Sequence, residues 1–251
     1  HHLIWSMSGF ITNPILKLFI ETVEKSCVRS ADINTTYADD WESELVRMGA
    51  RNPLTIYDFV DRTWIKNADL SIKERFPQGK RIIVMPCGTG NPLERPDLLM
   101  ESAKENADII IVVTGNLRYL RDYVEKARRL DIRNVVFTGF LSDEKYRGLI
   151  ATCDFVANIS SEPYGIPHTV TEGLAAGRPV IISGNPSVRK LLGDDYPLVI
   201  PQNDIETVKK IISLAIERED EFKTKARVLY KRLKNEREIQ IEKLFDLLHG
   251  H

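Results

Sequence analysis

Cysteine is scarce in this sequence. Three occur in 251 residues, Cys27, Cys87 and Cys153, and they lie far apart. Neither a disulfide framework nor a Cys-x-x-Cys zinc spacing can be drawn from them, and all three are expected as small core hydrophobes. Excess charge of one sign is also missing. Thirty-five basic and 36 acidic side chains leave a formal charge of −1, so no general pull toward nucleic acid is expected. Long apolar runs are absent. The longest, such as Ile109–Val113, are strand-sized and far below the roughly 18 residues of a membrane span. Histidine numbers five, and His1-His2 with His249-Gly250-His251 read as tag remnants without a metal role. No signal peptide is visible, so a reducing cytoplasm is the expected compartment. What is present is 43% hydrophobic residues, enough to fill a core and to exclude wholesale disorder.

From Arg81 onward a regular alternation appears. Runs rich in β-branched residues, Arg81–Pro86, Asp108–Val113, Asn134–Thr138, Asp154–Asn158, Pro179–Ser183 and Pro197–Ile200, read as strands. Helical stretches over Leu93–Glu105, Leu117–Leu130 and Ser142–Thr152 separate the first four. The strand runs do not alternate apolar with polar residues, as expected for strands covered on both faces. The pattern predicts a doubly wound parallel α/β sheet of the Rossmann-like type over 81–204.

The first eighty residues differ. Pro14 opens a helix with Ile15, Phe19, Val23 and Cys27 at fourfold spacing. A strand within Ala31–Tyr37, a helix over Asp39–Met48 and a strand over Leu54–Val60 follow. Residues 1–61 therefore read as the end of an earlier Rossmann-like domain, and the polar segment 62–80 as a linker. Residues 205–251 are helical and charged. Phe222, Ala226, Leu229 and Leu233 form one stripe and Leu244, Phe245 and Leu248 another, as in helices packing back on the body; a membrane-surface or partner helix is the alternative.

In an open parallel sheet, ligands bind beyond the carboxyl ends of the strands. Three loops there stand out. In Cys87-Gly88-Thr89-Gly90-Asn91-Pro92-Leu93 two glycines would let backbone N–H groups approach a phosphate. The third glycine of a dinucleotide fingerprint is replaced by Leu93, and the Gly-Lys-Ser/Thr of a Walker loop is absent. In Thr138-Gly139-Phe140-Leu141, Gly139 permits an unusual backbone angle and Phe140 could flank a flat base. The third loop, Ser160–Val180, is the richest. Gly165-Ile166-Pro167 leads into a helix starting near His168, with Thr169 placed to cap it or to meet a ligand oxygen. The free N–H groups of that turn suit a diphosphate. Glu172, one turn further in, can accept two hydrogen bonds from a ribose diol.

With these motifs assembled, the stretch Arg81–Leu214 resembles the donor-nucleotide domain of GT-B glycosyltransferases. It is similar to the retaining family-4-like set (glycosyl transferases group 1) typified by sucrose- and glycogen-type transferases. The carriers are Val113-Thr-Gly115, Phe137-Thr-Gly139-Phe140, Ala151-Thr-Cys-Asp154, Ser161-Glu162-Pro-Tyr-Gly165-Ile-Pro167 and Glu172-Gly-Leu-Ala-Ala-Gly177-Arg-Pro-Val180. Glu162 and Glu172 stand ten positions apart, two more than in the common pattern. Pro167-His-Thr169-Val-Thr-Glu172 matches a Pro-x-Lys-x-x-Glu variant of related mannosyltransferases that act on chitobiosyl-diphosphodolichol, with Thr169 in the lysine position.

The resemblance implies a nucleotide sugar (UDP-, GDP- or ADP-linked) as donor, a hexose such as mannose or glucose, and a glycan or lipid-linked sugar as acceptor. The base would lie near Phe140 and Gly139, and the ribose on Glu172. The diphosphate would meet Gly88, Thr89, Gly90 and the segment Gly165–Thr169. Glu162 and Arg95 are the catalytic candidates, on a sugar hydroxyl and on the leaving group's charge. The Arg and Lys that the family places near the first loop have no direct counterpart; Arg178 and Lys190 are further cation candidates. No metal or other cofactor is expected, in keeping with the lack of an Asp-x-Asp loop motif. Asp39-Asp40 reads as a helix start. The two resemblances imply opposite stereochemical outcomes, so both stay open.

Length is the main departure, since most of an acceptor domain is missing; a missing N-terminal half or a partner subunit would supply it. Alternatives are a non-catalytic nucleotide-binding half of a two-chain transferase and a GT-B nucleotide-sugar epimerase. The expected location is cytoplasmic. Leu3-Ile-Trp-Ser-Met with Phe10 and Ile11 reads as an interdomain core strand or, alternatively, as a contact with the cytoplasmic face of a membrane.

Overall fold

The computed structural model describes residues 13–88 and 91–250. The apolar start and both Thr89 and Gly90 lie outside the described residues. Two compact units form: one from the described residues up to Tyr57 together with those from Glu236 on, the other from Asp58–Asn235.

In the smaller unit Asn13 caps α1 (Pro14–Ser30), its side chain accepting from the N–H groups of Ile15 and Leu16. β1 (Asn34–Thr36), α2 (Asp39–Met48) and β2 (Pro53–Thr55) follow, with β1 and β2 paired in parallel. The Glu42 carboxylate accepts from the Thr55 N–H at 2.7 Å and so ties α2 to β2. The expected strand over Leu54–Val60 stops at Thr55. Beyond Ile56, bonded to the Thr36 carbonyl, the Tyr57 N–H turns to the Gln240 side chain at 2.8 Å instead of a ladder. The fourfold apolar stripe of α1 is not covered, and Cys27, expected as a small core hydrophobe, lies on it. Ile15, Phe19, Val23 and Cys27 are exposed, and Val28 is the residue of this helix that is buried.

The larger unit begins with 3₁₀ turns at Arg62–Ile65 and Leu70–Arg75. The segment expected as a polar linker thus contributes Ile72 and Phe76 to the core, where they join Ile82, Val84, Leu149 and Cys153. The sheet comprises β3 (Arg81–Cys87), β4 (Ile109–Gly115), β5 (Val135–Gly139), β6 (Phe155–Asn158), β7 (Val180–Ser183) and β8 (Val199–Ile200). Their order is β5-β4-β3-β6-β7-β8, every pair parallel. All seven residues of β4 are buried, as its unbroken apolar run required. Each fully covered Ile or Val of this kind adds about 1.5–3 kcal/mol relative to exposure.

α3 (Pro96–Ala103), α4 (Leu117–Arg129), α5 (Asp143–Thr152), α6 (His168–Ala175), α7 (Pro186–Leu192) and α8 (Ile205–Glu217) connect or follow the strands. α3 starts three residues later than expected, because Pro96 at its first turn sets the start. α9 (Glu219–His249) is one long helix. Its expected stripe Phe222, Ala226, Leu229 and Leu233 is buried, whereas Phe245 and Leu248 are exposed. No helix among the described residues is long and apolar enough to cross a membrane.

The strand order reverses between β3 and β6, since their connections leave in opposite directions along the sheet. A crevice therefore opens beyond their carboxyl ends. Gly115, at the end of β4, admits no side chain: a Cβ there would lie 1.8 Å from the Cys87 carbonyl oxygen.

Candidate donor-binding site

The crevice is framed by the residues after β3 on one side and those after β6 on the other. Their bases are joined by main chain. Glu94 and Ser160 form an isolated antiparallel bridge. The Arg95 N–H donates to Ile159 O at 2.8 Å and the Ser161 N–H to Leu93 O at 2.9 Å.

On the β6 side, Ser160 anchors the loop. Its N–H donates to Ser183 Oγ at 3.0 Å, Ser183 Oγ to Asn203 Oδ1 at 2.6 Å, and Asn203 Nδ2 to Ser160 O at 2.7 Å. Ser160 Oγ in turn accepts from the Glu162 N–H at 3.0 Å, leaving Glu162 half-buried. Gly165 adopts a φ of +83°, a left-handed conformation that only glycine takes without strain. Its carbonyl accepts from the buried Asn185 Nδ2 at 2.8 Å, while Asn185 Oδ1 caps α7 through Val188 N at 2.8 Å. Ile166 is buried below.

α6 begins at His168 as expected, but its cap is Pro167 and no side chain caps it. Thr169 is buried at the second helical position and does not serve as the cap. The dipole-rich start of α6 is therefore available to an anion. One turn on, Glu172 is only 8% exposed. The Tyr146 hydroxyl, from α5, donates to Glu172 Oε2 at 2.5 Å, and His168 Nε2 stands 3.8 Å from Oε1. Burial pushes the Glu172 pKa up, and the Tyr146 hydrogen bond and His168 oppose that rise. His168 Nδ1 is hydrogen-bonded to the Asp58 carboxylate, which raises the imidazole pKa. Tyr146 itself is raised, first by burial and then by Glu172. Asn158 Oδ1, buried at the end of β6, has no hydrogen-bond partner among the described residues. α5 follows the β5 loop, where Gly139 has a φ of +72° and Phe140 is 71% exposed.

On the β3 side, Gly88 is exposed. The buried Cys87 thiol and the Glu94 carboxyl are hydrogen-bonded, and burial pushes Glu94 up to about 7. Arg95 is held in a two-point pair with Asp97, 3.0 Å at each contact, and Lys126 reaches Asp97 at 3.0 Å. The Asp97 carboxylate on α3 is thus shared between Arg95 and Lys126 of α4. Arg178 precedes β7, at the opposite end of the strands from the crevice, and donates to Ala151 O. Lys190 lies on α7.

The structure thus gathers Glu172, His168, Thr169 and the Gly165–Pro167 turn at the head of one helix. Sequence reasoning missed Asp58, Tyr146, Ser183, Asn185 and Asn203. Of these Asn185 alone carried a local signal, an Asn-Pro helix start.

Fold and family agree. The chain has the GT-B type of α/β fold. It is similar to Anabaena HepE in complex with UDP and glucose, with a TM-score of 0.78 at 16% identity over 93% of this chain and 67% of that one. Sucrose-phosphate synthase from Thermosynechococcus elongatus gives a TM-score of 0.77 at 16% identity over 100% of this chain and 67% of that one. The chain belongs to the glycosyl transferases group 1 family, whose model matches residues 67–234. It is 38% identical over 93 residues to the alpha-monoglucosyldiacylglycerol synthase of Streptococcus pneumoniae, covering 36% of this chain and 21% of that protein. It is 26% identical over 187 residues to UDP-glycosyltransferase TURAN of Arabidopsis thaliana, covering 59% of this chain and 39% of that protein. The chain therefore spans well under half the length of these curated relatives.

Proposed function

We propose that this chain is the donor-side portion of a glycosyltransferase that moves a hexose from a nucleotide-diphosphate sugar to an acceptor. Residues 81–204 would hold the donor, 1–61 would belong to the acceptor side, 62–80 would join the two, and 205–251 would brace the body. The carrying observation is the buried Glu172 carboxylate at the head of the uncapped α6, beside the point where the strand order reverses. In this reading Glu172 accepts from the ribose and Phe140 with Gly139 flanks the base. Gly88–Gly90 and the turn Gly165–Thr169 surround the diphosphate. Glu162 meets a sugar hydroxyl.

Departure of the nucleoside diphosphate builds negative charge, and fixed N–H dipoles with a nearby cation lower that barrier. Arg95 is the cation candidate on the β3 side, with its charge divided toward Asp97. The name of TURAN and the HepE complexes with UDP and UDP-glucose support uridine and glucose as the first pair to test. The streptococcal relative supports a lipid acceptor as the first class to try.

Calorimetric titration with UDP-, GDP- and ADP-glucose tests the reading. Glu172→Ala should lower affinity for the sugar nucleotide by about 1–3 kcal/mol, the cost of removing hydrogen bonds to a charged group. Unchanged affinity in a folded variant would remove Glu172 from the ribose role.

A further inference from the structure

Residue Asp58 lies ahead of the family-matched stretch 67–234, yet its carboxylate is bonded to His168 Nδ1 at the head of α6. The other ring nitrogen, Nε2, stands 3.8 Å from Glu172 Oε1. Asp58, His168 and Glu172 thus form a line of three ionisable groups, closed at its far end by Tyr146 on Glu172 Oε2. The imidazole is over half exposed rather than sealed in the core. Two cations on the β3 side are already paired. Arg95 is paired with Asp97, Lys126 with Asp97 and Glu101, and Glu94 brings a carboxyl to the β3 side.

We infer that Asp58 is a positioning residue of the donor site: it holds the His168 ring so that Nε2–H donates to the diphosphate of the sugar nucleotide. This rests on the donor-binding reading above. The proton balance is simple, since the imidazolium keeps both N–H groups, one on Asp58 and one on a phosphate oxygen. The charged groups facing the ring are Asp58 and Glu172. The Asp58 hydrogen bond and charge raise the His168 pKa, so the imidazolium persists to higher pH than an unassisted histidine would allow. Diphosphate affinity is then fully present below that raised pKa and falls as pH climbs through it, by up to about tenfold per pH unit.

The test uses the full chain and whichever of UDP-, GDP- and ADP-glucose binds it, titrated calorimetrically between about pH 6 and 8.5. Both phosphates of these donors are esterified, so their charge is constant over that range and the protein alone titrates. Affinity should fall through the upper part of the range. Asp58→Asn should move the fall to lower pH, and His168→Gln should flatten the profile. Nuclear magnetic resonance of the ligand-free His168 ring gives the same midpoint directly and does not depend on the variants folding. A pH-independent affinity in the unsubstituted chain, or a His168 midpoint unmoved by Asp58→Asn, overturns the inference while leaving donor binding intact. Failure of all three donors to bind at any pH overturns the donor reading itself.

Discussion

Phe155 and Phe19 are the same side chain in two regions that treat it oppositely. Phe155, on β6 of the larger unit, is 0% exposed, with α-helices and strands around it; Phe19, on α1 of the smaller unit, is 64% exposed. Both sit in apolar patterns visible in the sequence, a strand run for Phe155 and a fourfold helical stripe for Phe19. The difference teaches that periodicity shows that an element has an apolar face, whereas coverage of that face depends on which other elements are present to pack on it. In the larger unit six parallel strands and their helices supply that coverage on both sides. In the smaller unit a two-stranded pair and α2 leave Ile15, Leu18 and Phe19 exposed.

Three substitutions sharpen or break this contrast. Phe155→Ala should cost about 3–5 kcal/mol in denaturant unfolding followed by circular dichroism, because a cavity opens in a close-packed sheet. A loss below about 1 kcal/mol would mean that the β6 environment is looser than its burial indicates. Within the same unit, Tyr146→Phe should cost about 1–3 kcal/mol, since the Glu172 carboxylate stays buried with a partner removed. The sign with pH is specific. Burial already lifts the Glu172 pKa in the folded state, so its contribution is present at low pH and lost as pH rises through that value. Removing the Tyr146 bond lifts the pKa further. The penalty should therefore be larger at pH 8 than at pH 5; equal penalties would place the effect of Tyr146 in packing alone. The smallest effect is expected for Phe19→Ser, within about 0.5 kcal/mol of neutral. A large loss there would erase the distinction between the two regions.

Much of the larger unit was legible in the sequence, for a physical reason. Strands covered on both faces need apolar runs rich in β-branched residues, and β4 and β7 have them. The helix starting at His168 and the unusual backbone angle of Gly139 followed from local chemistry. What escaped was set by distant packing. Tyr146 reaches Glu172 across 26 positions and Asp58 reaches His168 across 110, and neither spacing leaves a periodic trace. Ile72 and Phe76 were hidden because a polar stretch surrounds them, although their spacing of one helical turn was a usable sign. Thr169 had the chemistry of a cap, but the turn imposed by Ile166-Pro167 places the cap one residue before the helix and leaves Thr169 inside it. Arg178 read as an available cation until the sheet's direction placed it at the wrong end.

The backbone stitches between Leu93–Arg95 and Ile159–Ser161 have a mechanical consequence. The roots of the two loops are fastened to each other, the width of the rim there being set by peptide groups rather than by side chains. A molecule settling there meets a mouth of fixed gauge and forfeits little ordering entropy at the roots. Evolution could swap the residues above that rim, and with them the guest, without having to rebuild it.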